Sequence, residues 1–136
     1  VIVLDSSFII GFHNERDAHH AAAKSLMDRL LSGAWGSGLL LEYVFLEVVT
    51  VLLLRRDLAV ANEVARILLD ARELEFVPCS DLFLDVTKGF TTQSKTRLSF
   101  TDIAIMNVAL DRTDGHILTF DKEFGKIGGL RINQIP

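Results

Sequence analysis

Residues 1–7 read Val1-Ile2-Val3-Leu4-Asp5-Ser6-Ser7. Four apolar residues without alternation, closed by an acid, predict a short strand buried on both faces in a parallel sheet. Downstream, Ala23, Leu26, Met27, Leu30 and Leu31 recur at helical spacing, which predicts a helix over 17–32 stopped by Gly33. A second strand is expected at 34–37. Residues 40–55 are almost wholly apolar and too long for a strand, so they read as a buried helix ending at Arg55-Arg56. Val60, Val64, Ile67, Leu68 and Ala71 mark the next helix, and Leu74 to Val77 a third strand before Pro78. Leu82, Val86 and Phe90 mark a helix over about 81–94, and Asp102, Ile105, Met106 and Ala109 share one face of another, beginning near Thr101. His116 to Phe120 reads as a fourth strand and 130–133 as a fifth. Strands separated by helices imply βαβ units and a mainly parallel sheet of the α/β class. Such sheets bind ligands beyond the carboxyl ends of their strands, where strand order reverses. Asp5 and Asp121 both follow strands, so they are candidates for one rim.

The chain has 136 residues, 49% hydrophobic and 24% charged, which fits one globular domain over 1–136. Apolar residues are abundant for this length, and an oligomer interface or partner groove would absorb the surplus. Cys79 is the single cysteine. It excludes an internal disulfide, and its setting in Phe76-Val77-Pro78-Cys79 predicts a buried thiol and a reducing, cytoplasmic location. No signal peptide is visible in the first residues, and the longest apolar stretch, Leu39 to Leu54, is interrupted by Glu42 and Glu47 and too short to span a bilayer. The net charge of −4 is unlike that of an ordinary nucleic-acid binder. Yet 18 acidic residues less four leave 14, against 14 Lys and Arg, so the excess equals four acids in one site.

Four acids stand out. Asp5 and Asp121 follow strands, where Asp also serves as an ordinary turn or cap residue. Glu47 is the only charged residue between Tyr43 and Leu54, with Val44, Val48, Val51 and Leu54 around it. A carboxylate so placed would be dehydrated, and would need a proton, a base or a cation unless it reaches solvent along one edge. Glu42, at the start of the same helix, is explained by its interaction with the helix dipole. Asp102 follows Ser99 and Thr101, either of which can cap the helix, but it heads the face bearing Ile105, Met106 and Ala109. Several carboxylates sharing a pocket repel unless a cation neutralises them, and all-oxygen ligation suits Mg²⁺ or Mn²⁺ better than zinc.

The order Asp, Glu, Asp, Asp and its local words resemble the PIN-domain family, particularly VapC-type toxins. The matching pieces are Val3-Leu4-Asp5-Ser6-Ser7-Phe8, Phe45-Leu46-Glu47-Val48-Val49, Leu98-Ser99-Phe100-Thr101-Asp102 and Leu118-Thr119-Phe120-Asp121-Lys122-Glu123-Phe124. The resemblance spans nearly the whole chain. It implies a three-layer α/β/α sandwich with a central parallel sheet of about five strands, order 3-2-1-4-5. It implies endonucleolytic hydrolysis of RNA with one or two Mg²⁺ or Mn²⁺ ions. Asp5 would be the central ligand, with Asp102, Asp121 and Glu47 completing the set. Ser7 and Thr119 fall on family positions that hold the carboxylates from behind. Lys122, Lys126, Arg97 and Lys95 are nearby cations for the RNA backbone. A small antitoxin protein and a homodimer are the implied partners.

Other chemistries fit less well. His13, His19 and His20 cluster without a zinc-binding spacing and read as solvated surface. An aspartyl-phosphate mechanism of the haloacid-dehalogenase type wants a second Asp where Ser7 stands. Gly36-Ser37-Gly38 lacks the Lys-Ser/Thr pair of a phosphate loop. The alternative of another class is a non-enzymatic RNA-binding or scaffold subunit of the same fold.

Overall fold

The computed structural model describes all 136 residues. In chain order it contains β1 (Ile2–Leu4), α1 (Ser6–His13), α2 (His20–Leu31), β2 (Gly38–Leu41), α3 (Glu42–Arg55), α4 (Leu58–Asp70), β3 (Leu74–Val77), α5 (Phe83–Thr91), α6 (Phe100–Arg112), β4 (His116–Leu118) and β5 (Arg131–Ile132). Short 3₁₀ turns cover Ser80–Leu82 and Lys122–Lys126. All strand pairings are parallel and the order is β3-β2-β1-β4-β5, as expected, within an α/β/α sandwich. The register pairs Val3 with Leu39 on one side and with Ile117 on the other. Strand β1 is therefore the centre of the sheet. The chain runs outward from it through β2 to β3, then returns to its other side as β4. The crevice beyond β1 and β4 is the topological switch point.

Every residue of β1, β2 and β4 is buried. Helices supply the rest of the core through stripes of apolar residues, such as Ile103, Ala104, Ile105, Val108 and Ala109 of α6. Phe8 and Phe124 are fully buried, and burial of a ring of this size stabilises by about 2–3 kcal/mol. Cys79 is a free, buried thiol. No helix is long and apolar enough to cross a membrane.

Three boundaries differ from the sequence reading. The second strand lies at Gly38–Leu41 rather than 34–37. Gly33 and Gly36 both have left-handed φ (+86° and +77°), so 33–36 is a turn, and Trp35 within it is buried with its indole N–H donating to the Gln134 carbonyl at 2.8 Å. The helix expected over 40–55 therefore starts two residues later, with Leu40 and Leu41 closing β2 and leading straight into α3. Helix α3 itself is not buried all round: Val44, Val48 and Leu52 face the core while Leu46, Leu53 and Leu54 are exposed. Helix α1 was not expected. Asp5, in extended conformation, caps it by accepting the Ser6 N–H. Glu42 does more than favour its own helix dipole, because its Oε1 accepts the Cys79 N–H at 3.0 Å and ties the loop after β3 to α3.

Candidate functional site

Asp5 is buried at the carboxyl end of β1, 3% exposed, and accepts from three donors. Its Oδ1 takes the Ser6 N–H at 2.8 Å. Its Oδ2 takes the hydroxyls of Ser7 and Thr119, each at 2.7 Å. Each hydroxyl has one proton, and both are committed to Asp5, so Ser7 and Thr119 do not bond each other across their 3.3 Å separation. Their lone pairs instead accept the N–H groups of Phe120 and Asp121, both at 2.9 Å. Asn133, just after β5, completes the frame, accepting the Thr119 N–H at 3.0 Å and donating to its carbonyl at 2.9 Å. Burial pushes the Asp5 carboxyl above its ordinary value, the charge of Asp121 adds to this, and the bonds from Ser7, Thr119 and Ser6 oppose it.

The other three acids are fixed in the same manner. Glu47 Oε1 accepts the Ser6 hydroxyl at 2.9 Å, linking α3 to the start of α1. Asp102 forms a capping box with Ser99, its Oδ2 accepting the Ser99 N–H at 3.0 Å while the Ser99 hydroxyl accepts the Asp102 N–H at 3.1 Å. Asp121 caps the 3₁₀ turn through its Oδ1 and the Glu123 N–H at 2.9 Å. Each of these three carboxylates thus uses one oxygen to lock its own position. The second oxygen, Glu47 Oε2, Asp102 Oδ1 or Asp121 Oδ2, has no hydrogen-bond partner within the protein. Asp102 is pushed up to about 6, first by burial and then by the charges of Asp5 and Asp121, against the bonds from Ser99.

Asp5, Glu47, Asp102 and Asp121 all line one cleft of about 460 Å³. Glu47 is exposed rather than dehydrated. It stands one position off the Val44, Val48, Leu52 stripe, so the burial pressure expected on it from its apolar neighbours does not exist. Ser7 also lines the cleft, whereas Thr119 stands behind Asp5. Ser6, Asp17, His19, Arg55, Ser99 and Phe120 join the wall. Lys122, Lys126, Arg97 and Lys95 do not line it, and Lys126 pairs with Glu123 at 2.7 Å. Arg55 is the cation that does. Its place at the last turn of α3 was read in the sequence only as a helix end.

No three His, Cys, Asp or Glu side chains stand close enough to enclose a metal ion. The donor set nevertheless suits a hard divalent cation. It is all oxygen, it is anionic, its members raise one another's affinity for positive charge, and three carboxylate oxygens are unpartnered. A second cavity, of about 340 Å³, is lined mainly by apolar residues including Ile9, Phe12, Met27 and Leu68, with His13, Asp70 and Glu73 as its polar members, and none of the four acids above reaches it.

The crystal structure of VapC20 from Mycobacterium tuberculosis, titled a sarcin-ricin loop cleaving toxin, superposes with a TM-score of 0.83 at 23% identity, covering 100% of both chains. At that identity the likeness shows a shared fold. No curated protein matches the sequence. A model of the PIN domain matches residues 2–130, nearly the whole chain, and with this match the chain belongs to the PIN-domain family.

Proposed function

We propose that this protein is a metal-dependent endoribonuclease that hydrolyses RNA phosphodiester bonds, and that it is the toxin of a VapBC-type toxin–antitoxin pair. The observation that carries the reading is the single cleft that all four carboxylates line, Asp5 bonded through both oxygens and the other three locked through one, leaving an unpartnered oxygen on each of those three. Asp5, Glu47, Asp102 and Asp121 would hold Mg²⁺ or Mn²⁺, one ion or two. The chemistry such an ion supplies is Lewis acidity, making water more acidic and offsetting charge on the departing oxygen. The protein's own part is positioning. Ser7 and Thr119 hold the Asp5 carboxylate in one orientation through two short bonds, so little reorganisation is needed when positive charge arrives. Ser6 sets Glu47, and Ser99 sets Asp102. Arg55 offers the RNA phosphate a cationic partner in an otherwise anionic wall. Asp102, raised to about 6 by burial and then by the charges of Asp5 and Asp121, is still mostly ionised at neutral pH, so the resting cleft carries repulsion that a bound cation would relieve.

Support for RNA as substrate comes from membership of the PIN-domain family and from the shared fold with VapC20, a sarcin-ricin loop cleaving toxin. Exposed Leu53, Leu54 and Leu58 around the α3–α4 junction and Phe83 and Leu84 on α5 offer apolar area for a second copy and for a small antitoxin. The test is incubation of a mixed RNA pool with Mg²⁺ or Mn²⁺, beside EDTA and Asp5→Asn controls. Fragments that appear only with metal and the wild-type chain are expected. Binding without cutting under every condition would favour the scaffold reading, and cutting that survives both controls would expose a contaminant.

A further inference from the structure

We propose that His19, stacked on Phe120 in the wall of the carboxylate cleft, is the platform on which a nucleobase of single-stranded RNA stacks next to the cleaved phosphate. The proposal rests on the reading of RNA as substrate and adds how the chain grips it. The two rings lie 4.5 Å apart between centroids at 12°, nearly parallel. Beneath them the fully buried Phe8 touches Phe120 at 6.5 Å, so three rings run from the core to the surface. One face of the imidazole is covered by Phe120, yet the side chain is 53% exposed. The exposure therefore falls on the opposite face and the edges.

Local structure does not account for His19. It occupies the N-cap position of α2 but makes no side-chain cap bond. Ser, Asp or Asn there would stabilise the helix by about 1 kcal/mol. A position that forgoes the local capping gain and keeps its ring on an exposed aromatic stack is where function is expected. Asp17 Oδ1 accepts the His19 backbone N–H at 2.8 Å and stands 3.6 Å from ring Nδ1, a nearby charge rather than a hydrogen bond. The platform is joined to the acids by covalent and hydrogen bonds: the Phe120 N–H donates to Ser7 Oγ, which donates to Asp5 Oδ2, and Phe120 precedes Asp121 in the chain. A base on His19 would thus be placed in fixed relation to Asp5. A flat ring in an anionic wall suits a base, which is neutral, while Arg55 meets the phosphate.

The test uses a fluorescein-labelled 12-nucleotide single-stranded RNA of mixed sequence, and a series of the same RNA with one abasic nucleotide moved along it. Binding is read by anisotropy in Mg²⁺ with an Asp102→Asn chain, in which cleavage is suppressed and the capping bond kept. Adding His19→Ala should weaken binding about 5- to 20-fold, and His19→Phe or His19→Trp should restore it. One abasic position should weaken binding to the His19 chain by a similar factor and leave the His19→Ala chain unaffected. Equal binding by His19 and His19→Ala chains, or additive losses at every abasic position, overturns the platform. The same RNAs with the wild-type chain separate the two readings. Coupled binding without any cleavage keeps the platform and removes the hydrolytic reading, while cleavage with no coupling does the reverse. Absence of binding and cleavage alike overturns both. His19 is exposed, so loss of fold is not expected in any of these variants, and circular dichroism checks it.

Discussion

Replacing Asp102 by Asn should make the metal-free protein more stable. The carboxyl of Asp102 sits near 6 in the folded protein against an ordinary 3.8, raised first by burial and then by Asp5 and Asp121. Folding therefore tightens its hold on a proton. Stability rises as pH falls from about 7 towards 4, and the penalty is fully present above the folded value. A shift of about two units corresponds to at most ~3 kcal/mol, and because the side chain is partly exposed, solvent screening reduces this to about 1–1.5 kcal/mol. Asn keeps an oxygen for the Ser99 N–H, so the capping box loses little. In EDTA at pH 7.5, urea unfolding should favour Asp102→Asn by about 1 kcal/mol, or roughly 3–4 °C in Tm for a chain of this length. The difference should shrink steadily as pH falls below about 6 and vanish only below the ordinary 3.8, where the carboxyl is neutral in folded and unfolded protein alike. Saturating Mn²⁺ should reverse the order at pH 7.5, since a ligand that binds only the folded state stabilises the chain that holds it better. A wild type more stable than the variant in EDTA at pH 7.5, or a difference that does not change between pH 4.5 and 8, would refute the electrostatic reasoning.

Thr119→Val removes a hydroxyl bound to a buried carboxylate and strands the Asp121 N–H; it should cost about 2 kcal/mol in urea unfolding while Thr119→Ser costs less than ~1. Gly115 has φ +82°, and an added Cβ would lie 2.0 Å from the Gly129 carbonyl oxygen; Gly115→Ala should lower Tm by more than about 10 °C in a thermal melt, combining left-handed strain with a backbone clash. Arg55→Ala should weaken RNA binding and reduce its salt dependence by about one phosphate contact, whereas Arg97→Ala should leave the slope of affinity against salt unchanged.

The parts of the fold that were legible are those where burial leaves a one-dimensional mark. Ile2–Leu4 and His116–Leu118 are buried strands with neighbours on both sides, and their mainly apolar character follows from that. The start of α3 was not legible because Leu41 is at once the last strand residue and the helix N-cap, with no Gly, Pro or Asn between the two elements. Helix α1 was hidden in Phe8-Ile9-Ile10, three successive buried residues that show no helical period. Asp5, Asp102 and Asp121 stood out because each sits beside a strand end or a helix start, and Glu47 because it is the lone charge in an apolar helix, although the dehydration expected of it does not occur: its neighbours are apolar but its edge of the helix faces solvent. Arg55 and His19 enter the wall from distant segments, and closeness in space leaves no local trace. The cations suggested for RNA were chosen by nearness in sequence to Asp102 and Asp121, and the cleft does not include them.

If Asp5, Glu47, Asp102 and Asp121 together bind divalent metal, anomalous diffraction from a crystal soaked in Mn²⁺ should show it. A peak is expected in the cleft within bonding distance of Asp5 and at least one of the other three, lost in Asp5→Asn crystals. A soaked crystal with no anomalous peak between these side chains, or with peaks only elsewhere on the surface, would contradict such binding.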